Sequence, residues 1–231
     1  MELASVCLRF RFEARVDVAD AQLALENPEE SQVMFDGRPV AMNLTGHFTD
    51  KAIATVALPD MVAGTHTIEI QLSFTKKTSI EWVYLLGDFG VTIEGLHGVV
   101  TAPVRTLSFG DWTLQGLPFY GGNVTYHCTA PVAGDAVQLP HFKGTAVKVC
   151  SQGQVGVIYR APYQAEVPVK AGAAVDITVF GHRANCFGPI HLAEPGLVWL
   201  GPDSYRTKGT FFSPEFQLRP LGITSAPIVY A

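Results

Sequence analysis

Thr65-His-Thr-Ile-Glu-Ile-Gln-Leu-Ser-Phe74 is the longest alternating run in the chain, and its reading decides the fold. Apolar side chains recur at every second position, which is the repeat of a strand and not the 3.6-residue repeat of a helix. Without a bulge, Ile68, Ile70, Leu72 and Phe74 share the face that turns to a core. Ala63-Gly64 ahead of the run supplies the turn that brings the chain into it.

Working outward, the same grammar returns at short intervals. Leu8–Phe12, Ala21–Glu26, Ser31–Phe35 and Ala52–Leu58 read as strands, punctuated by Asn27-Pro28, Asp36-Gly37 and Pro59-Asp60. Ile80–Val91 closes the first half as a nearly continuous apolar run. No stretch sustains a helical apolar period over a dozen residues. Strands every eight to twelve residues between Gly, Pro, Asn and Asp turns predict an all-β chain of sandwich or jelly-roll type.

The second half repeats the first. Gln138-Leu139 follows Gln22-Leu23 at the same spacing at which Val149 and Gly153 follow Val33 and Gly37. Asn123–Cys128 answers the opening strand, and Ala171-Gly172 before Val175–Phe180 answers Ala63-Gly64 before the long run. Four landmarks in one order predict two tandem sandwiches, 1–105 and 106–231, with the boundary near 98–110. The hinge is Gly110–Tyr126, where Trp112, Phe119 and Tyr120 sit among Gly and Pro. This stretch reads as a connection whose aromatics line the seam between the sandwiches, followed by the first strand of the second.

Composition narrows the function classes. The chain has 231 residues, 48% hydrophobic and 16% charged, with a net charge of −5, which suits a well-packed core and disfavours disorder. No basic cluster favours nucleic acid or an anionic membrane surface, and no apolar run is long enough to span a membrane. The first residues lack a signal peptide, so the chain reads as soluble and cytoplasmic, or as a piece of something larger. Cys7, Cys128, Cys150 and Cys186 are widely spaced, which argues against zinc ligation and for buried free thiols in a reducing compartment, with one disulfide left open. The seven His residues show no metal-ligand spacing, and no P-loop, dinucleotide fingerprint or nucleophile elbow is present.

Tyr120-Gly-Gly-Asn-Val-Thr-Tyr126, Val33-Met-Phe-Asp-Gly37, Val147–Gly153 and Gly181-His-Arg-Ala-Asn-Cys-Phe-Gly-Pro-Ile-His191 together resemble the galactose-binding-like jelly-roll modules of glycoside hydrolases. These modules flank the barrel in enzymes of the β-galactosidase, β-glucuronidase and α-L-rhamnosidase-like types. The resemblance implies a non-catalytic accessory region that binds carbohydrate or braces a catalytic domain. It also allows a structural calcium ion, although no Asp-x-Asp-x-Asp loop places one. The catalytic barrel with its paired acids is absent from this sequence.

The densest polar group is Arg183, Asn185, Gly188, Pro189 and His191. A guanidinium, a carboxamide and an imidazole on one loop suit sugar hydroxyls, or alternatively bind backbone groups that hold the loop. The candidate carbohydrate contacts are therefore Arg183, Asn185, His191, Trp112, Tyr120 and Trp199, with Phe119 beside them. Two other readings stay open. One is a free-standing hydrolase using Glu81 and Asp88, or His191 with an acid. Glu81 and Asp88 lie about 23 Å apart along an extended strand and meet only if the chain turns at Gly87. The other is a structural module that forms homo-oligomers.

Overall fold

The structure is a computed structural model and describes residues 3–78 and 80–230. It is nearly all β, with short 3₁₀ turns and no α-helix among the described residues. The chain divides into two compact units, Met1–Pro103 and Val104–Ala231.

Unit 1 contains β1 (Ala4–Ala14), β2 (Gln22–Glu26), β3 (Ser31–Phe35), β4 (Arg38–Pro39), β5 (Leu44–His47), β6 (Ile53–Ala57), β7 (Gly64–Phe74), β8 (Tyr84–Leu86), β9 (Gly90–Glu94) and β10 (His97–Thr101). One sheet runs β4-β3-β7-β1-β10-β9 and the other β5-β6-β2-β8. The predicted long strand is β7, paired along its whole length with β1, so that Ile68 faces Phe10 and Ile70 faces Leu8. Ile68 and Ile70 are buried while Leu72 and Phe74 are half-buried, because the outer end of β7 leaves the core. Val33, Phe35, Ile68, Ile70 and Val100 from the large sheet join Leu23, Leu25 and Val56 from the small one in a single core. Two sheets sharing one apolar interior make the unit sandwich-like. Burying each such side chain stabilises the unit by about 1.5–3 kcal/mol.

The inward row of β7 also carries a polar group that alternation alone does not flag. His66 is buried between Phe12 and Phe35, with ring centroids 5.7 and 5.3 Å away. Its Nδ1 lies 2.7 Å from Asp36 and its Nε2 2.7 Å from the Val62 carbonyl. Asp36 in turn accepts from the Thr67 amide. A buried imidazole is tolerated because each nitrogen has a partner.

Unit 2 contains β11 (Gly110–Asp111), β12 (Asn123–Thr129), β13 (Ala136–Gln138), β14 (Phe142–Lys143), β15 (Ala146–Ser151), β16 (Gln154–Ile158), β17 (Gln164–Ala165), β18 (Ala174–Phe180), β19 (Gly222–Ile223) and β20 (Ile228–Tyr230). Its sheets run β12-β18-β15-β16, β17-β13-β20 and β11-β19-β14. Trp112, Tyr126, Leu139, Val147, Val149, Ile177, Val179, Leu221 and Ile223 are part of one core that draws on all three.

The strand plan of unit 1 recurs in unit 2. The order β4-β3-β7-β1 has its counterpart in β16-β15-β18-β12, and β6-β2-β8 in β17-β13-β20. An isolated bridge precedes β2 (Val18 to Met61), and another precedes β13 (Gly134 to Val169). Both hairpins turn on left-handed residue pairs: Asp36 and Gly37 at φ 48° and 74°, Gln152 and Gly153 at 49° and 80°. Positive φ at both central residues defines the type I′ turn, which matches the twist of the flanking strands.

The units differ after their last long strand. β7 reaches β8 through residues 75–83, whereas β18 reaches β20 only after residues 181–227. That long excursion holds the distinctive sequence motif.

Candidate functional site

The excursion leaves β18 at Gly181, whose would-be Cβ lies 2.3 Å from the Gly122 carbonyl oxygen. Gly121 is confined in the same way, 2.4 Å from the Cys186 sulfur. The glycines of Tyr120-Gly-Gly-Asn-Val-Thr-Tyr126 leave the room that a Cβ would take from Cys186 and the His182 carbonyl at Gly121 and from the Tyr120 ring at Gly122. Cys186 donates toward the Phe119 carbonyl at 3.4 Å, and burial pushes its thiol above the ordinary value. Burial also lowers His182, whose Nδ1 accepts from the Ala184 amide.

Asn185 fixes the root of the loop. Its Nδ2 donates to the Arg219 carbonyl and its Oδ1 accepts from the Arg219 amide, both at 2.8 Å. The carboxamide thereby pairs with backbone as a strand residue would. Asn185 is buried, so it holds the loop and presents nothing to a ligand.

Beyond it, the chain forms an irregular arm. Ile190 accepts from the Gln217 amide, His191 donates its amide to the Ser204 carbonyl and accepts from the Ser213 amide, Leu192 bridges Phe212, and the Ala193 amide donates to Phe211. Residues 194–210 form the tip. Arg206 pins it by donating to the carbonyls of Asp203 and Thr210, each at 2.8 Å.

His191 is half-buried on the arm, 5.8 Å from Phe212 and 6.0 Å from Phe216 between ring centroids. Its Nδ1 lies 2.9 Å from the Ser213 carbonyl. A carbonyl only accepts, so Nδ1 carries the proton, and in the neutral ring Nε2 is left as an acceptor. Trp199 sits at the tip, 74% exposed, with Val198 beside it at 94%. The Trp199 ring lies where a Cβ on Gly201 would be, 2.2 Å from that position. Gly201 therefore leaves room for the edge of the indole beside the backbone. Gly201 and Ser204 exchange two hydrogen bonds, and Ser204 accepts from the His191 amide, which links Trp199 to His191 through one turn.

The other sequence candidates separate. Trp112 is fully buried in the core of unit 2, where its indole N–H donates to the Tyr120 carbonyl at 3.3 Å. It has no face for a ligand, which corrects its placement among the sugar contacts. Tyr120 is exposed at its edge, and its hydroxyl donates to the Asn123 carbonyl. Phe119 packs edge-on against Phe216. Arg183 is exposed at the root of the arm, with its carbonyl accepting from the Cys186 amide. Arg183, His191, Trp199 and Tyr120 thus keep accessible surface, whereas Asn185 and Trp112 do not.

In unit 1, Glu81 lines a cavity of about 40 Å³ together with Glu26, Glu30, Leu8, Leu25 and Ile70. That volume admits a few waters and falls far below the several hundred Å³ of small-molecule sites. Asp88 is not among the lining residues. Among the described residues no group of three His, Cys, Asp or Glu side chains is placed to hold a metal ion. The four cysteines are free; Cys7 is exposed and the other three are half-buried, which corrects the reading of four buried thiols. No helix among the described residues is long and apolar enough to cross a membrane.

Comparison with protein-family models, curated proteins and solved structures gave no match.

Proposed function

We propose that the chain is a non-catalytic accessory region of a glycoside-hydrolase-like protein, built from two jelly-roll sandwiches of the galactose-binding-like kind. In this reading it engages carbohydrate through the arm of unit 2. The observation that carries it is the Trp199 indole, 74% exposed, with the edge of its six-membered ring seated over Gly201. A pyranose presents a flat array of C–H groups that stacks on such a ring. An indole already held in place loses little rotamer freedom on binding. His191 supports the reading, because its Nε2 accepts from a hydroxyl while Ser213 fixes the tautomer. Arg183 and Tyr120 extend the polar and aromatic surface at the root. An open arm suits an oligosaccharide chain lying along the surface better than an enclosed monosaccharide.

The test is a glycan array probed with the full chain and with Trp199→Ala, alongside an assay for aryl-glycoside turnover. The proposal predicts binding to a defined set of oligosaccharides, its loss in Trp199→Ala, and no turnover. Turnover by the full chain, or binding that survives in Trp199→Ala, overturns it.

A further inference from the structure

The four-stranded sheet of unit 2 ends on β16, Gln154-Val-Gly-Val-Ile158, which pairs on one side only, with β15. The turn that joins them is the two-residue type I′ turn at Gln152-Gly153, so the flanking residues Ser151 and Gln154 exchange backbone hydrogen bonds. Counting by two, Gly156 and Ile158 also direct their N–H and C=O groups toward β15. Val155 and Val157 direct theirs outward, and among the described residues none takes them.

The side chains follow the same alternation. Gly156 faces inward, where a Cβ would meet Ala165 and Val167 at 2.6 and 2.8 Å, and Ile158 is buried. Val155, Val157 and Tyr159 face outward and are 62%, 51% and 62% exposed. An exposed apolar edge with an unpaired backbone is a template for another strand, which proteins ordinarily block with charge, Pro or a very short strand. Unit 1 does block the corresponding edge. Its β4 is only Arg38–Pro39, which is short, charged and short of one N–H. β16 has five residues and neither Pro nor charge.

We infer that β16 pairs antiparallel with β16 of a second copy of this chain, about a two-fold axis through Gly156. The edge is self-complementary in this register. Val155 of each copy meets Val157 of the other in hydrogen-bonded pairs, which use the outward N–H and C=O groups. The two Gly156 residues meet in the non-hydrogen-bonded pair between them. On the outer face Val155 and Val157 form apolar cross-strand pairs. Charge does not oppose this register, because Val155 and Val157 are flanked on β15 by Cys150 and Lys148, and Lys148 stays three strand spacings from Lys148 of the copy. Arg160 faces Gln152 of the copy, and no like charges are opposed. The contact is isologous, as a two-fold dimer requires. It extends the sheet to β12-β18-β15-β16 followed by the same strands in reverse. A five-residue edge is small, so the association is concentration-dependent.

The experiment is sedimentation velocity of the full chain over a concentration series, paired with amide hydrogen exchange at the two extremes. The mass should double with concentration. The Val155 and Val157 amides should become protected only in the dimer, whereas the Gly156 and Ile158 amides are protected throughout. Val157→Lys places a charge on an outward-facing position and should raise the dissociation constant at least about tenfold. Val155→Pro removes an edge-facing N–H without touching the β15 ladder and should do the same. Melting curves confirm that both variants fold. A chain that stays monomeric throughout, or a dimer whose dissociation constant is unchanged in folded Val157→Lys or Val155→Pro, overturns the inference. So does a dimer in which the Val155 and Val157 amides exchange freely.

Discussion

Unit 1 and unit 2 lay corresponding strands in the same order, and two of their differences change what the surface offers. After β7 the chain of unit 1 returns to its small sheet within residues 75–83, while after β18 unit 2 runs through an arm and then β19 before it reaches β20. At the hairpin edge unit 1 ends on Arg38–Pro39, while unit 2 ends on an exposed apolar strand. Both departures lie on unit 2. The shared frame supplies burial, and the departures supply surfaces with exposed aromatic and apolar groups. Where two copies of one plan differ, the difference separates what folding needs from what contact needs.

The largest expected effect concerns a residue peculiar to unit 2. Trp112 is fully buried and anchors the β11-β19-β14 sheet, while Asp111 beside it accepts from the Thr113 and Leu221 amides. Trp112→Ala should cost about 3–5 kcal/mol in denaturant unfolding. A loss under about 1 kcal/mol would place the ring outside the core and reopen its role as a ligand contact.

A smaller effect tests the equivalence itself. Gly37 and Gly153 both hold left-handed φ, and a Cβ at either would meet nothing within 4 Å. Ala at each position should therefore cost only the backbone penalty, about 1–2 kcal/mol, and the same at both. If only one variant is destabilised, the two hairpins are not equivalent.

The smallest effect is a pH dependence at the root of the arm. Burial holds His182 below its ordinary value of 6.5. The unfolded chain then takes up the proton first as pH falls, so stability is present above about 6.5 and declines below it. His182→Gln should flatten that decline in melting temperature on acidification. An identical decline in both proteins would assign it to other groups.

Much of the frame is legible in the sequence, for local reasons. Thr65–Phe74 alternates cleanly and is a strand along its length, and Asp36-Gly37 is a turn signal that needs no tertiary information. β5 is hard to read, because Leu44-Thr-Gly-His47 is short, polar and interrupted by Gly46 beside an irregularity in register. β10 looks like linker, since its place depends on parallel pairing of Val99 and Val100 with the distant β1. The predicted boundary near 98–110 therefore begins inside a strand. The candidate site divides along the same line. Trp199 stands out as an exposed aromatic type in a Gly/Pro-rich stretch. Asn185 looks like a ligand contact until the distant Arg219 backbone is seen against it, and Trp112 until the core closes around it. Residue type is local, but the partner that decides its use lies far along the chain.

The central claim is that contact with carbohydrate belongs to the arm and not to the shared frame. Its most direct test is calorimetric titration of an array-identified oligosaccharide into the full chain and into a version in which residues 194–210 are replaced by a short Gly-Asn-Gly link. The account predicts that the shortened chain keeps its β-sheet circular dichroism and its cooperative melting while its binding heat vanishes. Retained affinity in the folded, shortened chain would contradict it.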